Sequence, residues 1–210
     1  MKKIITGICT AAVTMMAGCG GSAGQPDKYV YNPPKDNYYV KYTESQDGNL
    51  RGTFVIARIG DGFTYGEEGD LFVHISDRTK KGYIRNPESG VWCGDPHYNY
   101  SEYGGNQDDA GIFSIFSEGP IRYLTIFGQP VSLSDYYVGC EKVAGVNCWV
   151  FDCHINGRKG KYWVDPSNGC TLKIHFPENG STREVVEYNL KYDKWGDNLL
   201  PADYDAVKWP

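Results

Sequence analysis

Between Val138 and Tyr192 apolar residues recur at every second position, in short runs separated by turn-forming residues. The runs are Val146–Ile155, Lys161–Asp165, Cys170–Phe176 and Arg183–Tyr192. Between them stand Asn156-Gly157-Arg158-Lys159-Gly160, Pro166-Ser167-Asn168-Gly169 and Pro177-Glu178-Asn179-Gly180. A period of two cannot be satisfied by a helix, whose faces repeat every 3.6 residues, so the segment must form consecutive antiparallel strands. The alternation predicts Cys170, Leu172, Ile174 and Phe176 on one face, with Thr171, Lys173 and His175 on the other. Val186, Tyr188, Leu190 and Tyr192 are likewise set against Glu187, Asn189 and Lys191. One apolar and one polar face describe a sheet packed on one side only.

The same grammar starts earlier. Tyr38, Val40 and Tyr42 alternate with Tyr39, Lys41 and Thr43, and Gln46-Asp47-Gly48-Asn49 supplies a hairpin turn. Arg51–Ile59, Phe63–Tyr65, Leu71–Ile75, Gly82–Arg85 and Gly90–Cys93 follow as short strands, with a turn roughly every ten residues. Gly94 to Asp109 interrupts the pattern as a polar loop rich in Tyr, Asn and Gly. Around 109–128 the sequence predicts a helical insertion, one turn or two at Ile112–Phe116 and a second short helix carrying Ile121, Leu124 and Phe127. Ser134–Glu141 re-enters the sheet. The expected fold is a mainly β, single antiparallel, strongly curved open half-barrel with one or two short helices covering its concave face.

The first residues read as an address. Met1-Lys2-Lys3 followed by the uncharged run Ile4–Ala17 has the form of a signal peptide, over residues 1–18. The run ends Met16-Ala17-Gly18-Cys19, which resembles a bacterial lipobox and makes Cys19 the site of lipid attachment. Residues 19–36, rich in Gly and Ser with Pro26, Pro33 and Pro34, form a flexible tether, and 37–210 is the single β domain. Gly20 is not the Asp that retains such proteins at an inner membrane, so the outer membrane, on its periplasmic face, is the expected home. Without an outer membrane it would be the outer face of the plasma membrane.

Charge narrows the partners. The chain has 26 acidic against 21 basic residues; loss of Lys2 and Lys3 with the leader takes the formal charge from −5 to −7. Nucleic acid is disfavoured, because phosphate binding needs a basic surface. The expected partners are the membrane, through the N-terminal lipid, a hydrophobic small molecule or lipid, and an envelope protein. In an exported protein Cys140, Cys148, Cys153 and Cys170 are disulfide candidates, with Cys140 near Cys148 across a tight turn and Cys153 able to meet Cys170; other pairings are equally open. Cys148-x4-Cys153-His154 lacks the spacing of a zinc or haem site, so no metal and no cofactor is expected. His74 and His175 fall on faces opposite the apolar set and are expected to be solvated. No nucleophile elbow, metalloprotease, P-loop or dinucleotide signature occurs, and the chain is expected not to be an enzyme.

Several stretches carry a resemblance. After the lipobox come Tyr39-Val40-Lys41-Tyr42, Gly60-Asp61-Gly62-Phe63-Thr64-Tyr65, Gly82-Tyr83-Ile84-Arg85-Asn86 and Gly90-Val91-Trp92. Lys142-Val143-Ala144-Gly145, Cys148-Trp149-Val150-Phe151, the hairpin Trp163-Val164-Asp165-Pro166-Ser167-Asn168-Gly169-Cys170-Thr171-Leu172-Lys173, and Leu200-Pro201-Ala202-Asp203-Tyr204 follow. This order resembles the superfamily of LolA/LolB-like lipoprotein carriers and relatives such as LppX. The resemblance implies an incomplete antiparallel barrel whose concave apolar face holds acyl chains, and it brings no catalytic residues. Leu172, Ile174, Tyr188 and Leu190, roofed by Phe116 and Leu124, are the expected cavity wall. The alternative is an envelope scaffold with a packed β core that recognises a protein or glycan through its Tyr/Asn/Gly loop.

Overall fold

Strand-forming residues and positive-φ turns alternate along the chain, and the computed structural model shows what they build. It describes residues 31–70, 72–76, 79–95, 133–155, 158–195 and 199. Eleven strands make one antiparallel sheet: β1 (Tyr38–Gln46), β2 (Asn49–Ile59), β3 (Gly62–Glu67), β4 (Phe72–Ser76), β5 (Lys81–Arg85), β6 (Trp92–Gly94), β7 (Tyr137–Val143), β8 (Val146–Ile155), β9 (Arg158–Val164), β10 (Thr171–Phe176) and β11 (Ser181–Asn189). The order is β6-β5-β4-β3-β2-β1-β11-β10-β9-β8-β7. Two meanders, one from each half of the chain, are therefore fused where β1 pairs with β11, and the connection from β6 to β7 runs from one sheet edge to the other.

The tight turns explain the local path. Asp47 and Gly48 both take positive φ, 52° and 77°, as do Ala144 and Gly145, at 46° and 85°. Two consecutive left-handed residues match the right-handed twist of flanking strands, which is the two-residue hairpin geometry. At Asp165 the turn is held by its own side chain: Oδ1 accepts from the Ser167 amide at 2.8 Å and hydroxyl at 2.7 Å. Asn168 Oδ1 accepts from the Cys170 amide at 2.8 Å, while its Nδ2 donates to Tyr188 Oη at 2.8 Å. The Asn32 amide donates to the Asn168 carbonyl at 2.7 Å, so the N-terminal segment already rests on this turn.

Both faces of the sheet are covered in part. One carries a continuous core of Tyr38, Val40, Ile56, Phe63, Ile75, Val143, Cys148, Val150, Trp163, Cys170, Leu172 and Val185. β7 approaches β11 although three strands lie between them in the sheet, and Val143 and Val185 share this core. The second meander thus curls towards this face. The sheet does not close into a barrel, because β6 and β7 are its two edges. In the first meander Val55, Ala57 and Phe72 pack with Leu199 on the opposite face, and in the second Trp149, Phe151, Cys153, Tyr162, Val164 and Ile174 pack with Leu133 as a separate cluster.

Bulges re-aim two of the expected faces. Register slips between Thr171 and Lys173 on β10, so Leu172 joins the first core while Ile174 and Phe176 pack on the opposite face. A second slip, where Lys41 pairs with Glu187 but Tyr42 pairs with Val185, leaves Val186 exposed and puts Val185 in the core. An extra residue in one strand inverts every side chain beyond it, which simple alternation does not register. The disulfide expectation is corrected for Cys148, Cys153 and Cys170, whereas Cys140 is disulfide-bonded. Cys148, Cys153 and Cys170 are buried free thiols and Cys93 an exposed one, and no disulfide joins two described residues. In register Cys140 faces Trp149, and it is Glu141 that faces Cys148. The helices expected at 109–128 lie outside the described residues; among the described residues the helical element is a 3-10 turn at Leu133–Tyr136.

Candidate functional site

Two cross-strand ladders on the second face define a groove. The first runs Asn189, Tyr39, Ala57, Thr64, His74, Tyr83 and Gly94 across seven strands. Beside it run Glu187, Lys41, Val55, Gly66, Phe72, Arg85 and Trp92. Directly opposed residues in an antiparallel sheet project to the same side, so each ladder is a row of neighbouring side chains. Gly66 has no side chain, and the row is open between Val55 and Phe72.

The C-terminal segment roofs part of this face. The Tyr192 amide donates to the Asn37 carbonyl at 2.8 Å, and its ring lies 5.2 Å from that of Tyr39. Trp195 packs edge-on to Tyr192 and to His74, with centroids 6.2 and 5.5 Å apart. A Cβ at Gly62 would stand 2.9 Å from Trp195 Cζ2, so a side chain there would push the indole away. Leu199 is fixed by its carbonyl, which accepts from the Thr64 hydroxyl at 2.6 Å.

Beneath this roof lies a pocket of about 510 Å³, bounded by Tyr39, Val55, Phe72, Tyr192 and Leu199, with Glu68, Gly69, Arg85, Glu187 and Asn189 around them. That volume lies within the range of small-molecule sites, about 300–1,000 Å³. Its charge is divided. Lys41 Nζ is 2.7 Å from Glu68 Oε1 and 3.8 Å from Glu187 Oε1, so one cation is shared by two carboxylates and the group keeps a net negative charge. The hydrogen bond to Glu68 raises the Lys41 pKa. Burial, with help from Glu187 and Glu68, pushes the Tyr39 phenol up to about 12, which keeps its proton on oxygen. Arg85 is different: its Nε is buried and has no hydrogen-bond partner.

His74 corrects the expectation of a solvated ring. It is fully buried, among Tyr83, Trp92 and Trp195, and burial lowers its pKa from 6.5 to about 3. The alternation placed it correctly opposite the first core, but that face is roofed rather than wet. His175 is half-buried, with Nδ1 2.9 Å from Thr182 Oγ1.

The residues expected to line a cavity lie elsewhere. Leu172 is fully buried in the first core with Tyr188 against it, Ile174 is buried on the opposite side, and Leu190 is exposed just beyond β11. Phe116, Leu124 and Cys19 lie outside the described residues. The groove residues Tyr39, Phe72 and Arg85 were visible in sequence only as the non-core positions of their strands. Their meeting depends on the register of five strands, β1 to β5. Among the described residues no three His, Cys, Asp or Glu side chains gather to hold an ion.

No family model and no curated protein matches the chain. Among solved structures, PNGF-II in its P21 and C2 space groups is similar at 11% and 12% identity, each with a TM-score of 0.37. The alignments cover 82% of this chain but 31% and 30% of those chains, so the chain spans about a third of their length.

Proposed function

We propose that the chain is a membrane-anchored, exported lipoprotein of the bacterial envelope that binds a lipid, acyl chain or other hydrophobic ligand without catalysis. The anchor is an acylated Cys19, and the tether holds the β domain at the periplasmic face of the outer membrane, or on the outer face of the plasma membrane where no outer membrane exists. The sheet acts as an open half-barrel. The resemblance to LolA/LolB-like carriers supports this reading, and so does the aromatic composition.

The observation that carries it is the 510 Å³ groove walled by Tyr39, Val55, Phe72, Tyr192 and Leu199. Apolar walls with a few polar groups at the rim are what a hydrophobic ligand needs, since desolvation drives its binding and the rim sets its orientation. The ligand therefore sits on the face opposite the main core. A second reading, an envelope scaffold, is favoured by one fact: around Leu172, where the sequence placed a cavity, Tyr38, Val40, Leu172 and Cys170 are packed to zero exposure.

Native mass spectrometry with solvent extraction, on protein purified without detergent, separates the two. A stoichiometric copurified lipid that is lost in Phe72→Asp, with the fold retained, is the expected result. A protein that stays unliganded after incubation with membrane lipids would favour the scaffold.

A further inference from the structure

The groove has one polar group that the fold leaves unused. Arg85 stands in register between Phe72 on β4 and Trp92 on β6, and it lines the pocket. Its Nε is buried and unpartnered, and no described carboxylate forms an ion pair with it. A buried guanidinium N–H without an acceptor is costly, and a bound water, ion or ligand is what can satisfy it. The local backbone accommodates the guanidinium: a Cβ at Gly90 would come within 3.1 Å of Nη2. Gly90 also adopts a positive φ of 69°, so glycine serves both the turn and the approach.

The other charges limit what the ligand can be. Glu68 and Glu187 on the same pocket share the single cation Lys41, so this rim has no spare positive charge and its excess negative charge opposes a dianion more than a monoanion. The Tyr39 hydroxyl retains its proton and can donate. A guanidinium matches a planar carboxylate with two parallel N–H···O bonds. Resting on the reading of this groove as a hydrophobic-ligand site, we propose that the ligand is an amphiphile with a single carboxylate, which Arg85 binds while Phe72, Val55, Tyr192 and Leu199 hold its apolar part.

The test uses the full chain carrying Cys19→Ser, so that no acyl anchor competes for the groove, and titrates it calorimetrically with octanoate, octanol and octyl phosphate. A charge-assisted, desolvated hydrogen-bond pair predicts that octanoate binds at least about tenfold more tightly than octanol. Octyl phosphate, a dianion at pH 8, is expected to bind more weakly than octanoate. Arg85→Gln should bring octanoate to the affinity of octanol, while Arg85→Lys should keep part of the preference. Equal binding of octanoate and octanol by the wild type would overturn the assignment and leave the groove reading standing. So would a preference that survives Arg85→Gln, or tighter binding of octyl phosphate. Failure of all three probes to bind would overturn the groove reading itself. Unchanged far-ultraviolet dichroism and thermal midpoint identify the variants as folded.

Discussion

Thr64 Oγ1 lies 2.6 Å from His74 Nδ1, and the same hydroxyl donates to the Leu199 carbonyl at 2.6 Å. A hydroxyl has one proton, and a carbonyl can only accept. Thr64 must therefore give its proton to Leu199 and accept from the imidazole, which places the ring proton of neutral His74 on Nδ1. Through this one hydroxyl, β3 and β4 are tied to the C-terminal residues that roof the groove.

Replacing Thr64 by Val keeps the shape but removes both bonds. The Leu199 carbonyl and the His74 N–H lose a buried partner, and leaving such groups unsatisfied costs about 1–3 kcal/mol. Urea unfolding of Thr64→Val should show a lower midpoint with an unchanged slope. A midpoint equal to that of the wild type would mean that the C-terminal segment does not depend on this bond.

The same node gives the protein an acid sensitivity. His74 titrates near 6.5 when unfolded and at about 3 when folded, because burial disfavours the imidazolium. Between those values the unfolded chain binds the extra proton. The stabilisation is therefore complete above about pH 6.5 and is lost as the pH falls towards 3. Going from pH 7.5 to 5 should remove about 2 kcal/mol, and His74→Gln should flatten that part of the profile. The comparison of unfolding free energies at the two pH values, wild type against variant, checks this.

Thiol chemistry follows burial. Desolvation pushes Cys148, Cys153 and Cys170 up to about 12, aided by Asp165 at Cys148 and Cys170 and by Asp152 at Cys153. The thiolate is the reactive form, so these three should resist iodoacetamide at pH 8 in the folded protein and react after denaturation. Cys93, which is exposed, should be alkylated in both states. Peptide mapping by mass spectrometry reads the difference, and rapid native labelling of Cys170 would contradict its position in the core.

Two leucines that look alike in the sequence should behave differently. Leu172 is fully buried and Leu190 is 37% exposed. Leu172→Ala should cost about 2–5 kcal/mol, the range for emptying a packed site. Leu190→Ala should fall within about 0.5 kcal/mol of the wild type, as for surface positions without special contacts. Chemical denaturation of both variants measures the contrast.

The strands were readable because their signals are local. Val146–Ile155 has the same ends in sequence and structure, and the Asp47-Gly48 turn carries residues that left-handed backbone favours. Faces were less readable. Leu172 and Ile174 obey one period in sequence, yet the bulge at Thr171–Lys173 sends them to opposite sides. Cys148, Cys153 and Cys170 stood as disulfide candidates because exported chains pair their cysteines, but each fills an apolar site as a thiol.

By itself the sequence determined that the chain would be an antiparallel sheet, since period two and turn chemistry act within a few residues of each other. Only the tertiary structure decided the order of the strands, with β1 against β11, and the roofing of the second face by Tyr192, Trp195 and Leu199. It also decided that Arg85 would stand beside Phe72 and Trp92 with its Nε unpaired. Those outcomes depend on register and packing between residues as far apart as Tyr39 and Tyr192, and no local pattern encodes a distance of that kind.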